Sequence, residues 1–185
     1  MAVQDSHEAT LMNQADKSDQ WGERAPHGLG SVLVLAKKLG LARGPVKKLI
    51  ARLWSGLQLP APVDIRYAGL KFRLHPWDNV VENKMLFGSK LRDRLEIGKL
   101  REFAGDGGVF LDIGANIGYY SLMAVHQGAA RALAFEPNPA VLGRLQFNIE
   151  ANHLAGRIKA LPIALGDRAA TMIMLVSERD LGGSH

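Results

Sequence analysis

The chain predicts an α/β protein, with a right-handed parallel sheet of three strands in spatial order 3-2-1, preceded by helices and a β-hairpin. Three observations predict it. Two period-2 apolar runs flank the turn Ala68-Gly69. From Val109 onward, strand and helix patterns alternate as strand, helix, strand, helix, strand. The first of those strands, VFLDI, then breaks into GANIG, a glycine turn ahead of a helix.

Each segment has its own composition. Residues 1–27 are polar and unperiodic and are expected to be a disordered tail. Residues 28–60 form a basic helical segment: a short helix from Ser31 stops near Gly40, and Gly44-Pro45 starts a second. In that second helix Val46, Leu49, Ile50, Leu53, Trp54 and Leu57 share one face, with Lys47, Lys48 and Arg52 off it. Such a helix (residues 45–58) suits an anionic membrane surface or a partner, and equally a stripe packed on the domain with solvated lysines. Residues 61–108 give the hairpin, then two helices between Asp78 and Phe103, divided near Gly88 or Gly98. Residues 109–185 hold the sheet: strands Val109–Ile113, Ala130–Phe135 and Ile158–Leu165, the last interrupted by Pro162, and a fourth extended run Thr171–Val176. Helix Ile117–Gln127 lies between the first two strands; Asn138 caps the next helix, with Pro139 in its first turn.

Net charge and cysteine usage narrow the function. The whole chain carries +5, but residues 31–60 alone carry +6 and residues 109–185 are neutral. The positive excess therefore does not belong to the glycine-motif domain, and no nucleic-acid partner is expected. With no cysteine there is no disulfide, thiolate metal site or thiol nucleophile, and a cytoplasmic setting fits. The six histidines show no HxxxH spacing, and no metal is expected. No apolar run is long enough to span a bilayer, and the N-terminus is not a secretory signal.

The chemistry concentrates at strand ends. In an open α/β sheet, ligands bind beyond the carboxyl ends of the strands, where Gly114, Ala115, Asn116 and Gly118 sit. A dinucleotide site prefers GxGxxG, and here Asn116 takes the middle position. Asp112, two residues upstream, would repel a pyrophosphate and welcome an ammonium. S-adenosyl-L-methionine (SAM) has an ammonium, a sulfonium and no phosphate. Glu136, 22 residues after Gly114 and next to Pro137, ends the second strand, where an acid can accept both ribose hydroxyls. Beyond the third strand, Ala164, Leu165 and Asp167 lie where backbone groups or Asp167 can meet the adenine; Gly166-Asp167 reads equally as an ordinary turn before the next strand. An NAD(P) oxidoreductase is disfavoured by Asp112 and the missing glycine. Either carboxylate has a plainer reading: Asp112 as a scaffold group bonded to the Gly114–Gly118 loop, Glu136 as an acid ahead of a helix N-terminus.

VFLDIGANIGYYS, AFEPNPAVLGRLQFNIEANHL, ALGD and the closing GGS resemble the FkbM-type SAM-dependent methyltransferases, with WDNVVENKMLFGSKLRDRLEIGKL similar to their preceding helical region. The resemblance covers about Trp77 to Ser184. It implies a Rossmann-like class I methyltransferase fold and methyl transfer from SAM to a hydroxyl of a sugar or another small natural product. It also implies later strands, beginning with a block of the IKIDVEGAE kind, so the chain is expected to be C-terminally truncated and the first strand to be an exposed edge. The alternative is a catalytically incomplete SAM-binding or interaction remnant. No general base is assigned, because His75, His126 and His153 all lie away from strand carboxyl ends. The oligomeric state is left open.

Overall fold

The computed structural model describes residues 20–24, 31, 49, 52, 62–87, 91–104, 107–171, 173–176 and 181. The hairpin is β1 (Val63–Tyr67) and β2 (Leu70–Leu74); Ala68 and Gly69 both take positive φ, as a two-residue hairpin turn requires. Helices α1 (Val80–Phe87) and α2 (Leu91–Ala104) come next, so the division falls near Gly88 and Gly98 lies inside α2. Then come β3 (Val109–Ile113), α3 (Tyr119–His126), β4 (Arg131–Phe135), α4 (Pro139–Ala151) and β5 (Ile158–Leu161).

Strands β3, β4 and β5 are parallel, in that order across the sheet. Right-handed crossovers put α3 and α4 on the same face. That face is lined by Phe110 and Asp112, Ala132 and Ala134, and Ile158 and Ala160, which lie level across the three strands. The two alanines of β4 are fully buried and let the helices close on the middle strand. Ile117, Leu122, Met123, Val141 and Leu145 fill the helix side of this core. The hairpin forms a third layer outside the helices, with Phe72 and Leu74 in the same core and Tyr67 edge-on to Tyr119. Layer order is therefore sheet, helices, hairpin.

The opposite face of the sheet is exposed along β3. Val109, Leu111 and Ile113 are 61, 58 and 67% exposed. The run VFLDI reads as apolar on both faces apart from Asp112; among the described residues β3 has β4 as its one ladder partner, the exposed edge expected of it, and is buried on one face. The third strand ends at Leu161 and not Leu165, because Pro162 has no N–H to continue the ladder. Thr171–Val176, expected as a fourth extended run, forms no strand at its described residues. Composition alone does not make a strand where no neighbour supplies a ladder.

Residues 20–24, expected within a disordered tail, form a turn docked on the hairpin. Asp64 and Arg73 face each other across β1 and β2 as a buried ion pair, 2.8 and 3.0 Å. The turn completes their bonding: Gly22 N and Arg24 N donate to Asp64 Oδ2, and Arg73 Nη2 donates to the carbonyl of Gln20. Trp21 lies 5.1 Å from the Arg66 guanidinium and 5.2 Å from the Lys71 ammonium, each over its ring. The remainder of 1–27 and almost all of the basic helical segment lie outside the described residues. Of the latter, Ser31, Leu49 and Arg52 are helical, and Leu49, on the expected apolar stripe, is exposed. No helix among the described residues is long and apolar enough to cross a membrane.

The ion pair and the aromatic contact separate in a stability measurement. Asp64→Ala leaves a buried guanidinium without its counter-charge and is expected to cost about 3–5 kcal/mol in urea denaturation. Trp21→Ala loses the ring contacts with Arg66 and Lys71 and the Nε1 bond to the Phe72 carbonyl at a half-buried position, and is expected to cost about 1–2 kcal/mol. Equal losses would show that the ion pair is not what anchors the turn.

Candidate functional site

The carboxyl ends of β3, β4 and β5 meet at one end of the sheet, as in any parallel ladder. Beyond Ile113 the chain turns back over β4: Gly114 N and Ala115 N both donate to the Phe135 carbonyl at 3.0 Å. Gly114 needs its positive φ of 73° for this turn, and the space above its Cα is open, with nothing within 4 Å of an added Cβ. Gly118 serves a different purpose. A Cβ there would lie 2.4 Å from Leu145 and 2.7 Å from Leu122. It is glycine so that α3 can pack on α4, not so that a ligand can approach.

Asn116 also takes positive φ, 50°, which asparagine tolerates better than most residues. Its N–H donates to Glu136 Oε2 at 2.9 Å, and its side-chain oxygen accepts from Ile117 N and from Asn79 Nδ2. Glu136, one residue past β4, is 7% exposed. Its other oxygen, Oε1, accepts from Asn138 N at 2.9 Å, and its own N–H donates to the Leu161 carbonyl of β5. One carboxylate thus bridges the β3–α3 and β4–α4 loops. Each oxygen keeps a lone pair beyond its backbone bond.

Asp112 is equally buried, at 7%. The loop glycines do not hold it. Its Oδ2 accepts from Ser121 N at 3.0 Å and Ser121 Oγ at 2.6 Å. Gly118, the N-cap of α3, has no side chain to cap with, so a carboxylate from the neighbouring strand satisfies the third helical N–H. Burial pushes the Asp112 carboxyl above the ordinary carboxylate range, and the two Ser121 bonds oppose that rise. Among the described residues Oδ1 carries no hydrogen bond.

Sequence reasoning missed the support beneath these groups. Asn79 caps α1, accepting from Val81 N and Glu82 N, and reaches the glycine loop with its amide. Its signal was present in NVVE, an asparagine three residues ahead of a glutamate. That glutamate, Glu82, turns away from the cap. It pairs with Arg144 Nη1 at 2.9 Å and accepts from His75 N, while Asp78 takes both ends of the same guanidinium at 2.8 Å. Burial raises the Glu82 carboxyl from 4.5 to about 7 despite Arg144 and His75, which lower it. Leu181 ties this cluster to the site: its N–H donates to the Asp78 carbonyl, and its carbonyl accepts from Asn138 Nδ2.

The site therefore brings Asp112, Gly114, Ala115, Asn116, Gly118, Glu136 and the half-buried Pro137 together. Ala164, Leu165 and Asp167 are exposed past the end of β5, with no hydrogen bond among the described residues to the glycine loop or to either carboxylate. His126 ends α3 and His153 lies just past α4, both away from the strand carboxyl ends.

No protein-family model matches the chain, and no curated protein matches it. Among solved structures it is similar to the SAM-dependent methyltransferase of Agrobacterium tumefaciens, at 14% identity over 54% of this chain and 31% of that one, TM-score 0.40. It is also similar to a transferase of Pyrococcus horikoshii, at 21% identity over 65% and 48%, TM-score 0.45. A third, Trm5b of Pyrococcus abyssi, gives 22% identity over 57% and 28%, TM-score 0.41. The matched part of each solved structure is less than half its length.

The glycines and the buried glutamate each give an expected outcome. Gly118→Ala combines left-handed backbone with a clash against Leu145 and is expected to cost about 3 kcal/mol or more. Gly114→Ala meets only the backbone term, about 1–2 kcal/mol; denaturant midpoints compare the two. The Glu82 carboxyl binds its proton more tightly folded than unfolded, so its contribution to stability is greatest below pH 4.5, falls as pH rises to about 7, and is flat above. Glu82→Gln removes that fall, and unfolding curves taken from pH 4.5 to 8 measure it.

Proposed function

We propose that the chain binds SAM at the carboxyl ends of β3–β5 and is the cofactor-binding part of a methyltransferase. The observation that carries the reading is the pair of buried carboxylates, Asp112 and Glu136, at the ends of neighbouring strands on either side of the Gly114 turn. Burial raises the Asp112 carboxyl above the ordinary range, and its Oδ1, which carries no hydrogen bond among the described residues, is left for a cation to meet. The ammonium of SAM meets it directly or through water. Glu136, fixed by two backbone amides, accepts the ribose hydroxyls without having to reorganise. Gly114, open above its Cα, lets the ligand lie close to backbone. Ala164, Leu165 and Asp167 flank the adenine end. A pyrophosphate placed here would meet two carboxylates, which disfavours a dinucleotide.

When bound, SAM supplies a methyl group on a positively charged sulfonium, ready for in-line displacement. The chain's own part is to hold and orient it, and proximity is the larger share of such catalysis. The acceptor, by the resemblance of the motifs to the FkbM-type family, is a hydroxyl of a sugar or small natural product, met in the cytoplasm. A second reading, SAM binding without turnover, is favoured by the exposed face of β3 and by the placing of His126 and His153 away from the strand carboxyl ends.

Calorimetric titration tests the binding. SAM is expected to bind and NAD not to. Affinity should rise with pH through the acid range, because the ammonium favours ionised Asp112, and Asp112→Asn should weaken binding about tenfold and abolish that rise. Glu136→Gln sets an amide N–H against a backbone N–H, so its fold is checked by circular dichroism before its affinity is compared. If neither variant alters SAM affinity, the assignment fails. Transfer of labelled methyl to hydroxylated acceptors then separates the enzyme from the binding module.

A further inference from the structure

Two asparagines meet between the lead-in region and the glycine loop: Asn79 Nδ2 donates to Asn116 Oδ1 at 2.9 Å. Backbone groups settle the direction of that bond. Asn79 Oδ1 accepts from Val81 N and Glu82 N, which leaves the amino group facing the loop. Asn116 Oδ1 also accepts from Ile117 N, which makes the oxygen the end that faces Asn79.

Neither residue has to be asparagine for its backbone duty. A helix cap needs only an acceptor, and serine or aspartate supplies one as well. The positive φ of Asn116 would be met with less strain by glycine. Asparagine adds a donor at position 79 and an acceptor at position 116, and the two are used on each other. Asn79 is 2% exposed, so a donor left unmatched there would be costly.

The bond closes a circuit around Glu136. Asp78, the residue before Asn79, takes both ends of the Arg144 guanidinium at 2.8 Å and so ties the start of α1 to α4. The cap of α4, Asn138, donates its N–H to Glu136 Oε1, while Asn116 N donates to Oε2. Glu136 is therefore held by α4 directly on one side, and by α4 through Asp78, Asn79 and Asn116 on the other. A left-handed non-glycine residue persists only where its surroundings over-determine it, and Asn79 supplies the side-chain bond that does so. Without it the loop can turn the Asn116 N–H off Oε2, and the remaining lone pair of that oxygen loses its direction.

This inference rests on the SAM reading above, in which that lone pair meets a ribose hydroxyl. We propose that Asn79 is a positioning residue for ribose recognition: acting through Asn116, it aims Glu136 and sets the preference of the site for a nucleoside that carries both ribose hydroxyls.

Calorimetric titration of the full 185-residue chain with S-adenosylhomocysteine and with its 2′,3′-dideoxy form tests this. The wild type should prefer the first by about a hundredfold, the worth of hydrogen bonds to a carboxylate. Asn79→Ser keeps the cap; it should lower that preference about tenfold and leave affinity for the dideoxy form unchanged. Asn79→Asp, of the same size and also a cap, should do the same, and circular dichroism checks that both variants keep the fold. Asn116→Gly removes the acceptor and should lose the same preference, with no further loss when Asn79→Ser is added. Equal weakening of both ligands by the Asn79 variants would mark a merely structural role and overturns the proposal. So does an unchanged preference, or a double variant whose losses add. A wild type that binds both ligands alike overturns the ribose role of Glu136 and this proposal together, and one that binds neither overturns the SAM reading and this with it.

Discussion

The carboxylate of Glu136 holds two loops that would otherwise be independent. Its oxygens accept from Asn116, in the turn that leads into α3, and from Asn138, the cap of α4. Its amide joins β5. Three consecutive strand ends are therefore referred to one residue, two through its carboxylate and the third through its backbone N–H. Asp112 adds the same kind of constraint one strand over, by capping a helix from outside it. Neither acid is a simple surface charge awaiting a ligand. Each is already part of the frame, and a ligand would take up the bonding capacity left over.

Beneath that frame the structure is supported by polar side chains placed among apolar ones. Asn79, Asn138, Asn148 and Arg144 are all buried, and each joins segments far apart in sequence. Buried groups of this kind are tolerated because every bond has a partner of good length; an unpaired amide in the same place would cost about 1–3 kcal/mol. The result is a lead-in region, residues 62–104, that is structurally continuous with the sheet domain. The cap of its helix α1, Asn79, reaches the glycine loop with its amide, and its hairpin shares the core.

Much of this was legible locally. Hairpin, helices and parallel strands came from the spacing of apolar residues, and the α4 cap from Asn138-Pro139, because those signals are local. The ends of the elements were less legible: Pro162 stopped β5 earlier than its apolar tail suggested. The two glycines of the turn look alike in sequence, yet Gly114 answers to backbone conformation and Gly118 to a leucine on α4, a neighbour 27 residues away. The dock of Trp21 was not legible at all, since the partners of its turn lie 40 to 53 residues on, and the turn itself sits in a segment whose composition is that of a tail. Ser121, the partner of Asp112, lies in the first turn of α3; it closes the run VFLDIGANIGYYS, but nothing in its spacing marks it as a partner of Asp112.

The hairpin is joined to α4 in an unusual manner. Asn152 accepts from Lys71 N and donates to the Lys71 carbonyl, as a facing strand residue would, and Asn148 accepts from Arg73 N one turn earlier. Two side-chain amides thus stand in for the missing neighbour of β2 and blunt its free edge. Since a residue inserted or deleted near the start of α4 rotates the remainder of the helix by about 100°, both amides would swing off β2 together. The hairpin and the helix are in consequence coupled, since sliding or tilting either one strains the same three hydrogen bonds.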